Sequence, residues 1–309
     1  MTARYCPTVS VVLAVHNGED YLNRAIGSLL AQTLSDIELI VVDDGSSDQT
    51  WDMICACAAV HERLVAIRNG KNIGLSASLN KGLRVARGRY VARQDADDTS
   101  LPERLESQVT YLARHTDVGL LGTAYDVIDS KGRRVATHRQ PSSDTEIRWQ
   151  MLFYNAFCHS SVMFRRELVT RRGIDYDEDL PYAQDYDLWA RLLRHTRGAN
   201  LQSPLVSYRV HGGNRGMVNR DGQTQVVLDI ATRQLADLEP KVPFSREDVD
   251  TLRRWYYSFP QRVESSDVPL CRKLLQILST FTMQECVDPT VASHIRESWT
   301  ERIEAALPS

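Results

Sequence analysis

Thr8–Val15 (TVSVVLAV) is an almost unbroken β-branched and apolar run, and Ile37–Val42 (IELIVV) is a second. Short runs that are apolar on successive positions predict strands buried on both faces of a parallel sheet. Between them His16-Asn17-Gly18 breaks the pattern. Tyr21, Leu22, Ala25, Ile26, Leu29 and Leu30 then recur at helical spacing, with Asn17 as the expected N-cap. The alternation continues with a helix from about Gln49 to Val60, a strand at Leu64–Ile67 and a helix opened by Asn72-Ile73-Gly74 that carries Leu75, Leu79, Leu83 and Ala86. Arg89–Arg93 reads as a fourth strand, and Ser100 and Pro102 read as a helix start. Strands and helices in turn predict an α/β fold: a doubly wound, mostly parallel, Rossmann-like sheet with right-handed crossovers.

The rhythm then changes. Val118–Asp129 and Arg133–Ala136 predict two strands around the turn Ser130-Lys131-Gly132. Phe157–Phe164 predicts a strand, Asp185–His195 a helix and Leu201–Val210 a strand. From Asp221 the pattern is helical, with Val226, Val227, Ile230 and Leu235, then Leu252–Tyr257, Leu274–Phe281 and Val291–Leu307, punctuated by prolines. This divides the chain into a sheet-based domain over 1–220, with halves at about 1–125 and 126–220, and a helical C-terminal region over 221–309.

The chain has 309 residues, a net charge of −3 and 25% charged residues. That composition is globular, and it lacks the basic footprint of a nucleic-acid binder. No apolar stretch approaches the ~20 residues of a membrane span. The start, Met1-Thr2-Ala3-Arg4-Tyr5, lacks the order of a signal peptide. Cys6, Cys55, Cys57, Cys158, Cys271 and Cys286 form no Cys-x-x-Cys pair and read as reduced, mostly buried thiols. The expected location is the cytoplasm or the inner face of the cell membrane.

Candidate chemistry sits where strands end. Asp43-Asp44-Gly45-Ser46 follows the second strand and Asp95-Ala96-Asp97-Asp98 the fourth. In open α/β sheets ligands gather outside the carboxyl ends of strands. Adjacent carboxylates repel one another unless a cation or a donor offsets their charge. A hard divalent ion that bridges substrate phosphates does so, while ordinary turn and cap chemistry is the blander explanation. There is no Gly-x-x-x-x-Gly-Lys-[Ser/Thr], and no Gly-x-Gly-x-x-Gly after the first strand, so a P-loop enzyme or a standard dinucleotide dehydrogenase is a poor fit.

Six segments in order, VSVVLAVHNGEDYLNRAIGSLLAQT, ELIVVDDGSSDQT, NIGLSASLNKGLRVARGRYVARQDADD, HSSVMFRRELV, AQDYDLWARL and YRVHGGN, resemble glycosyltransferase family 2. The resemblance spans roughly Pro7 to Asn214. It implies the GT-A fold and inverting transfer of a sugar from a nucleotide-diphosphate sugar, a UDP-sugar foremost, to a saccharide or lipid-linked saccharide, as in cell-surface polysaccharide or glycolipid synthesis. It further implies that Ala14, His16 and Asn17 border the base, that Asp43 and Asp44 meet the base or ribose, and that Gly74 and Asn80 lie under the nucleotide. Asp95, Ala96 and Asp97 would form the Asp-x-Asp element. Asp97 would hold Mn²⁺ or Mg²⁺ on the diphosphate, Asp95 the ribose or the metal's surroundings, and His211 would reach the metal or the diphosphate. Asp185 matches the catalytic base.

His16 stands where relatives often carry Tyr, and Gln184 where an acid often precedes the base. Gln184, His159 and Trp189 are weaker candidates for acceptor contact, His159 and Trp189 being equally readable as core residues. Lys71 and Lys81 read as surface lysines. Trp255-Tyr256-Tyr257 and Trp299 admit internal packing, a homodimer contact or a peripheral membrane contact, internal packing being the simplest. A nucleotidyltransferase, or a silent nucleotide-binding scaffold, is the competing reading.

Overall fold

The computed structural model describes residues 6–213, 220–284 and 286–307. Met1–Tyr5 and Asn214, the last residue of the YRVHGGN segment, lie outside them. The chain divides into two compact units, one over residues 1–140 and 157–218 and the other over 141–156 and 219–309.

The first unit is built on β1 (Val9–Val15), β2 (Ile37–Asp43), β3 (Leu64–Arg68), β4 (Tyr90–Arg93), β5 (Thr99–Ser100), β6 (Val118–Ile128), β7 (Arg134–His138), β8 (Met163–Arg165) and β9 (Arg197–Arg209). They form one sheet in the order β3-β2-β1-β4-β8-β6-β9-β5, with β7 paired to β6. The first four pair in parallel. β8 is antiparallel to both β4 and β6, and β9 is parallel to β6, so β6 and β9 point the same way as β1–β4. The sheet is therefore mostly parallel in direction, with β5, β7 and β8 reversed.

Helices cover both faces. Val9, Val11, Leu13, Leu39 and Val41 share a core with α1 (Leu22–Leu30), α2 (Thr50–Val60) and α4 (Arg104–Arg114). On the other face α3 (Leu75–Val85) comes close to β1 at Gly82, where an added Cβ would stand 2.5 Å from Val12 Cγ1. Alternate strand residues thus feed opposite faces, as the unbroken apolar runs require.

The second unit contains α5 (Asp144–Met151), capped by a reciprocal Ser143–Glu146 box, and the C-terminal helices. α6 (Glu167–Thr170) and α7 (Gln184–Leu193) belong to the first unit, while α8 (Arg220–Leu238), α9 (Arg246–Tyr257), α10 (Val268–Thr282) and α11 (Pro289–Ala306) complete the second. Its core gathers Trp149, Phe153, Leu252, Trp255, Leu274, Phe281 and Trp299. The division at 220 drawn from the sequence is corrected here: 141–156 lies inside the first 220 residues but packs with the C-terminal helices, because Trp149 and Phe153 bury themselves there. Trp255 and Trp299 are internal, whereas Tyr257 is exposed.

Several local expectations also change. Asn17 does not cap α1, which begins at Leu22 after a turn closed by Gly18 O. Phe157–Phe164 is not one strand: a 3-10 turn occupies His159–Ser161 and β8 starts only at Met163, because Ser161 bonds back to Cys158 O through its backbone N–H and its hydroxyl. All six cysteines are free, but only Cys158 and Cys271 are buried. No helix among the described residues is long and apolar enough to cross a membrane.

Candidate active site

The carboxyl ends of β1, β2 and β4 lie side by side, and the loops that leave them are stitched together. Asp44 N–H donates to Val15 O at 2.7 Å, and His16 Nδ1 stands 2.9 Å from Asp44 O. Asn17, at φ 51°, receives the Ser47 N–H on its side-chain oxygen (2.9 Å) and donates its own N–H to Ser46 Oγ (2.9 Å). Asparagine tolerates this left-handed conformation better than most residues.

Asp44 spends its carboxylate on the protein. One oxygen accepts from Asn69 Nδ2 and Ile73 N, the other from Gly74 N, at 2.8–2.9 Å. Gly74, at φ 95°, makes the turn into α3 without a Cβ penalty. Asp43 is fully buried, accepts from Ser46 N and forms an ion pair with Arg68 at 3.2 Å. Ala14 is buried at the end of β1. Asn80 is committed as well: its amide binds Tyr176 N and O and Glu178, at 2.8–3.0 Å. Lys81 donates to Asn69 Oδ1, and Lys71 is exposed.

After β4 the acids diverge. Asp95 pairs through Oδ1 with Arg93 Nη2, accepts from Ser160 Oγ at 2.9 Å on Oδ2, and donates its N–H to the same hydroxyl. Burial opposes its charge, but the Arg93 charge and the hydrogen bonds from Arg93 and Ser160 outweigh that and hold the carboxyl below the usual range. Asp97, two residues on, is pushed up by burial and by the Asp95 charge, although His211 Nε2 lies 3.0 Å from its Oδ2. Asp98 is buried, accepts from Arg209 N at 2.7 Å and is pushed well above the usual range by burial and by the charges of Asp97 and Asp95. Ala96 is half-buried between the two half-buried acids.

His211 is set by its neighbours. Its ring lies 5.0 Å from that of Tyr21, and the Arg209 guanidinium covers the other partner at 4.8 Å from the Tyr21 centroid. Arg209 also donates from Nε to Asp97 O and from Nη1 to Asp129 O, tying the end of β9 to the acidic loop.

Because β8 runs against its neighbours, its beginning lies at the carboxyl end of β4, which brings His159 and Ser160 beside Asp95. His159 Nε2 accepts from Arg93 Nε at 3.2 Å and lies 2.9 Å from the Tyr176 hydroxyl. Burial and the Arg93 charge lower its pKa to about 3, so the ring is neutral. Burial chiefly raises the Tyr176 phenol above its ordinary range, and the charges of Asp185 and Asp95 add to it. Asp185 is half-buried in the first turn of α7, after Ala183 at φ 53°, and Gln184 beside it is also half-buried. Trp189 is corrected: it is fully buried against Phe157, His159, Phe164 and Tyr176, and presents no surface to an acceptor.

The profile of Glycosyl transferase family 2 matches residues 10–173. The chain belongs to glycosyltransferase family 2. It is 35% identical over 229 residues to the amylovoran biosynthesis glycosyltransferase AmsE of Erwinia amylovora, covering 73% of this chain and 84% of that protein. Its fold is similar to S. aureus TarS 1-349 in complex with UDP-GlcNAc, with TM-score 0.63, 19% identity and coverage of 96% and 89% of the two chains. It is also similar to the mannosyltransferase PcManGT from Pyrobaculum calidifontis in complex with GDP-Man and Mn²⁺, with TM-score 0.56, 18% identity and coverage of 98% and 85%. Family membership supports glycosyltransferase activity and the GT-A fold.

Sequence reasoning missed Arg93, Ser160, Tyr176, Asn69, Tyr21 and Arg209. Arg93 alone left a signal: an arginine closing a strand that is otherwise buried, next to an acidic cluster. The others are ordinary residues until the sheet order brings them together.

Proposed function

We propose that this chain is a metal-dependent, inverting glycosyltransferase that moves a sugar from a nucleotide-diphosphate sugar, in the first instance a UDP-sugar, to a hydroxyl of a saccharide or lipid-linked saccharide. The observation that carries the reading is Asp97 Oδ2 meeting His211 Nε2 at 3.0 Å across 114 residues of chain, beside a second carboxylate at Asp95. AmsE is named for polysaccharide biosynthesis, and the two structural neighbours are complexes with UDP-GlcNAc and with GDP-Man and Mn²⁺, which supports the substrate class.

The donor set fits a hard divalent ion. Burial and then the Asp95 charge destabilise Asp97 as a carboxylate, a cost that a cation would offset, and His211 adds an imidazole. Among the described residues no three His, Cys, Asp or Glu side chains converge on a metal-sized point. Mg²⁺ and Mn²⁺ sites that take one or two protein ligands fill the rest with phosphate oxygens and water. A bound Mn²⁺ or Mg²⁺ would stabilise the negative charge of the leaving diphosphate. Asp185 would take the proton from the acceptor hydroxyl as that oxygen attacks the anomeric carbon from the face opposite the diphosphate, which inverts the centre. The loops around His16, Asn17 and Gly74 would border the nucleotide, with Asp44 holding them in shape.

The test is a thermal-shift panel of UDP, GDP, TDP and CDP, each with and without Mn²⁺. A nucleotide at about 100 times its Kd adds about 2.7 kcal/mol to the folded state, which is several degrees at this size. A shift with one nucleotide that needs the metal supports the reading, and no shift with any of the four sinks it.

A further inference from the structure

Resting on that reading of the site, we propose that Arg93, braced by His159 and Tyr176, is a positioning residue that fixes the Asp95 carboxylate as a ready-made acceptor for a hydroxyl of the nucleotide-sugar donor. Arg93 closes β4 with a side chain that is only 2% exposed, yet it lies directly under a carboxylate that is 28% exposed. Its guanidinium makes two directed contacts: Nη2 to Asp95 Oδ1 and Nε to His159 Nε2. The Tyr176 hydroxyl reaches that same imidazole nitrogen at 2.9 Å, and Asn80 grips Tyr176 by its backbone N–H and carbonyl. Ser160 fixes the second oxygen of Asp95.

The result is a carboxylate with each oxygen held once from below or beside, and with a remaining acceptor position on each oxygen. A carboxylate so held cannot rotate to find its ligand, and its charge is already balanced. It therefore suits a neutral hydroxyl rather than a second cation ligand, and it leaves Asp97 and His211 as the pair for the metal. Arginine suits the place because its rigid planar fork holds an imidazole and a carboxylate at once in fixed directions. The neutral His159 serves as an acceptor for that fork. This also gives Asn80, whose amide spends both its donors on Tyr176 O and Glu178, a place in the same network: it anchors the far end of the brace.

The experiment is a double-mutant cycle on the full chain. Dissociation constants for UDP, GDP, TDP and CDP with Mn²⁺ are measured by calorimetry, and Mn²⁺ affinity alone is measured by electron paramagnetic resonance. The proteins are wild type, Arg93→Lys, Asp95→Asn and the double variant. For the nucleotide that wild type binds, Arg93→Lys should weaken binding about tenfold, and the same change in the Asp95→Asn background should cost less than about twofold, because Arg93 acts through Asp95. Mn²⁺ affinity in the absence of nucleotide should stay unchanged in Arg93→Lys. Additive losses, or a loss of Mn²⁺ affinity equal to the loss of nucleotide affinity, would overturn the proposal. Should Arg93→Lys fail to fold, Tyr176→Phe keeps the buried ring and removes only the hydroxyl that braces His159. It should weaken nucleotide binding severalfold in wild type and not in Asp95→Asn, and equal effects in both overturn the proposal. Absence of binding by wild type to all four nucleotides refutes the donor-site reading itself, an outcome distinct from tight wild-type binding that ignores Arg93.

Discussion

Asp185 enters the first turn of α7 from Ala183, whose left-handed backbone aims the following two residues. If Asp185 removes the acceptor proton, Asp185→Asn should keep nucleotide and metal binding while cutting transfer by about 10²–10⁴-fold, a split read by comparing calorimetry with product formation. Asp97→Ala should instead remove the metal-dependent part of nucleotide binding, seen as thermal shifts that no longer respond to Mn²⁺. Asp95 and Asp97 were legible as candidate chemistry because neighbouring carboxylates after a strand repel one another unless a cation or a donor offsets their charge, whereas Asp185, an ordinary residue for a helix start, was singled out only by the family resemblance. Asp44 and Asn80 were legible as positions but not as roles. Both carry the motif's residue type, yet most of their hydrogen bonds go to Asn69 and the 72–74 turn and to the 176–178 segment. Which partner saturates a polar group depends on neighbours distant in sequence.

At the scale of elements, close approach sets the tolerances. α3 lies on β1 at Gly82, where a methyl would stand 2.5 Å from Val12 Cγ1. Gly82→Ala gains helix propensity of about 1 kcal/mol but overpacks a tight contact at about 1–3 kcal/mol. Net destabilisation is expected, measured by calorimetry as a fall of a few degrees. Ala183→Val places a β-branched residue at φ 53° and should cost about 1–3 kcal/mol, read by denaturant titration, with a matching loss of transfer because α7 begins there. Glu38 on β2 gives a pH test. Burial opposes its charge, yet Ser10 and Arg87 hydrogen bonds overcome this and lower its pKa. A carboxylate held lower in the folded state stabilises fully above its unfolded value and loses that contribution as pH falls through the folded one. Glu38→Gln should therefore destabilise at pH 7, and the gap from wild type should close in acid, measured by melting curves across pH 3–7. The strands and most helices were readable at this scale, since period and propensity are local. The 3-10 turn at His159–Ser161 was not, because it forms where Ser160 is drawn to Asp95.

On the scale of the whole molecule, the second unit rests on an aromatic core. Trp149 lies 5.2 Å from the rings of Phe153 and Phe281 and 5.9 Å from Trp299. Trp149→Ala should cost about 3–5 kcal/mol. Hydrogen exchange should then rise across 141–156 and 220–307 while β1–β4 stay protected, since each unit has its own core. A uniform rise would show that the two cores unfold as one. The apolar runs of β1 and β2, the helical spacing between them and the acids after β2 and β4 are written in adjacent residues, and local sterics with period-specific burial suffice to read the α/β class and the acidic loops from them. Tertiary structure alone decided that α5 joins the C-terminal helices, that β8 runs backwards to deliver His159 and Ser160, and that His211 meets Asp97. Each of these is a pairing across many residues, chosen by which buried surface and which charge the folded sheet leaves to be matched.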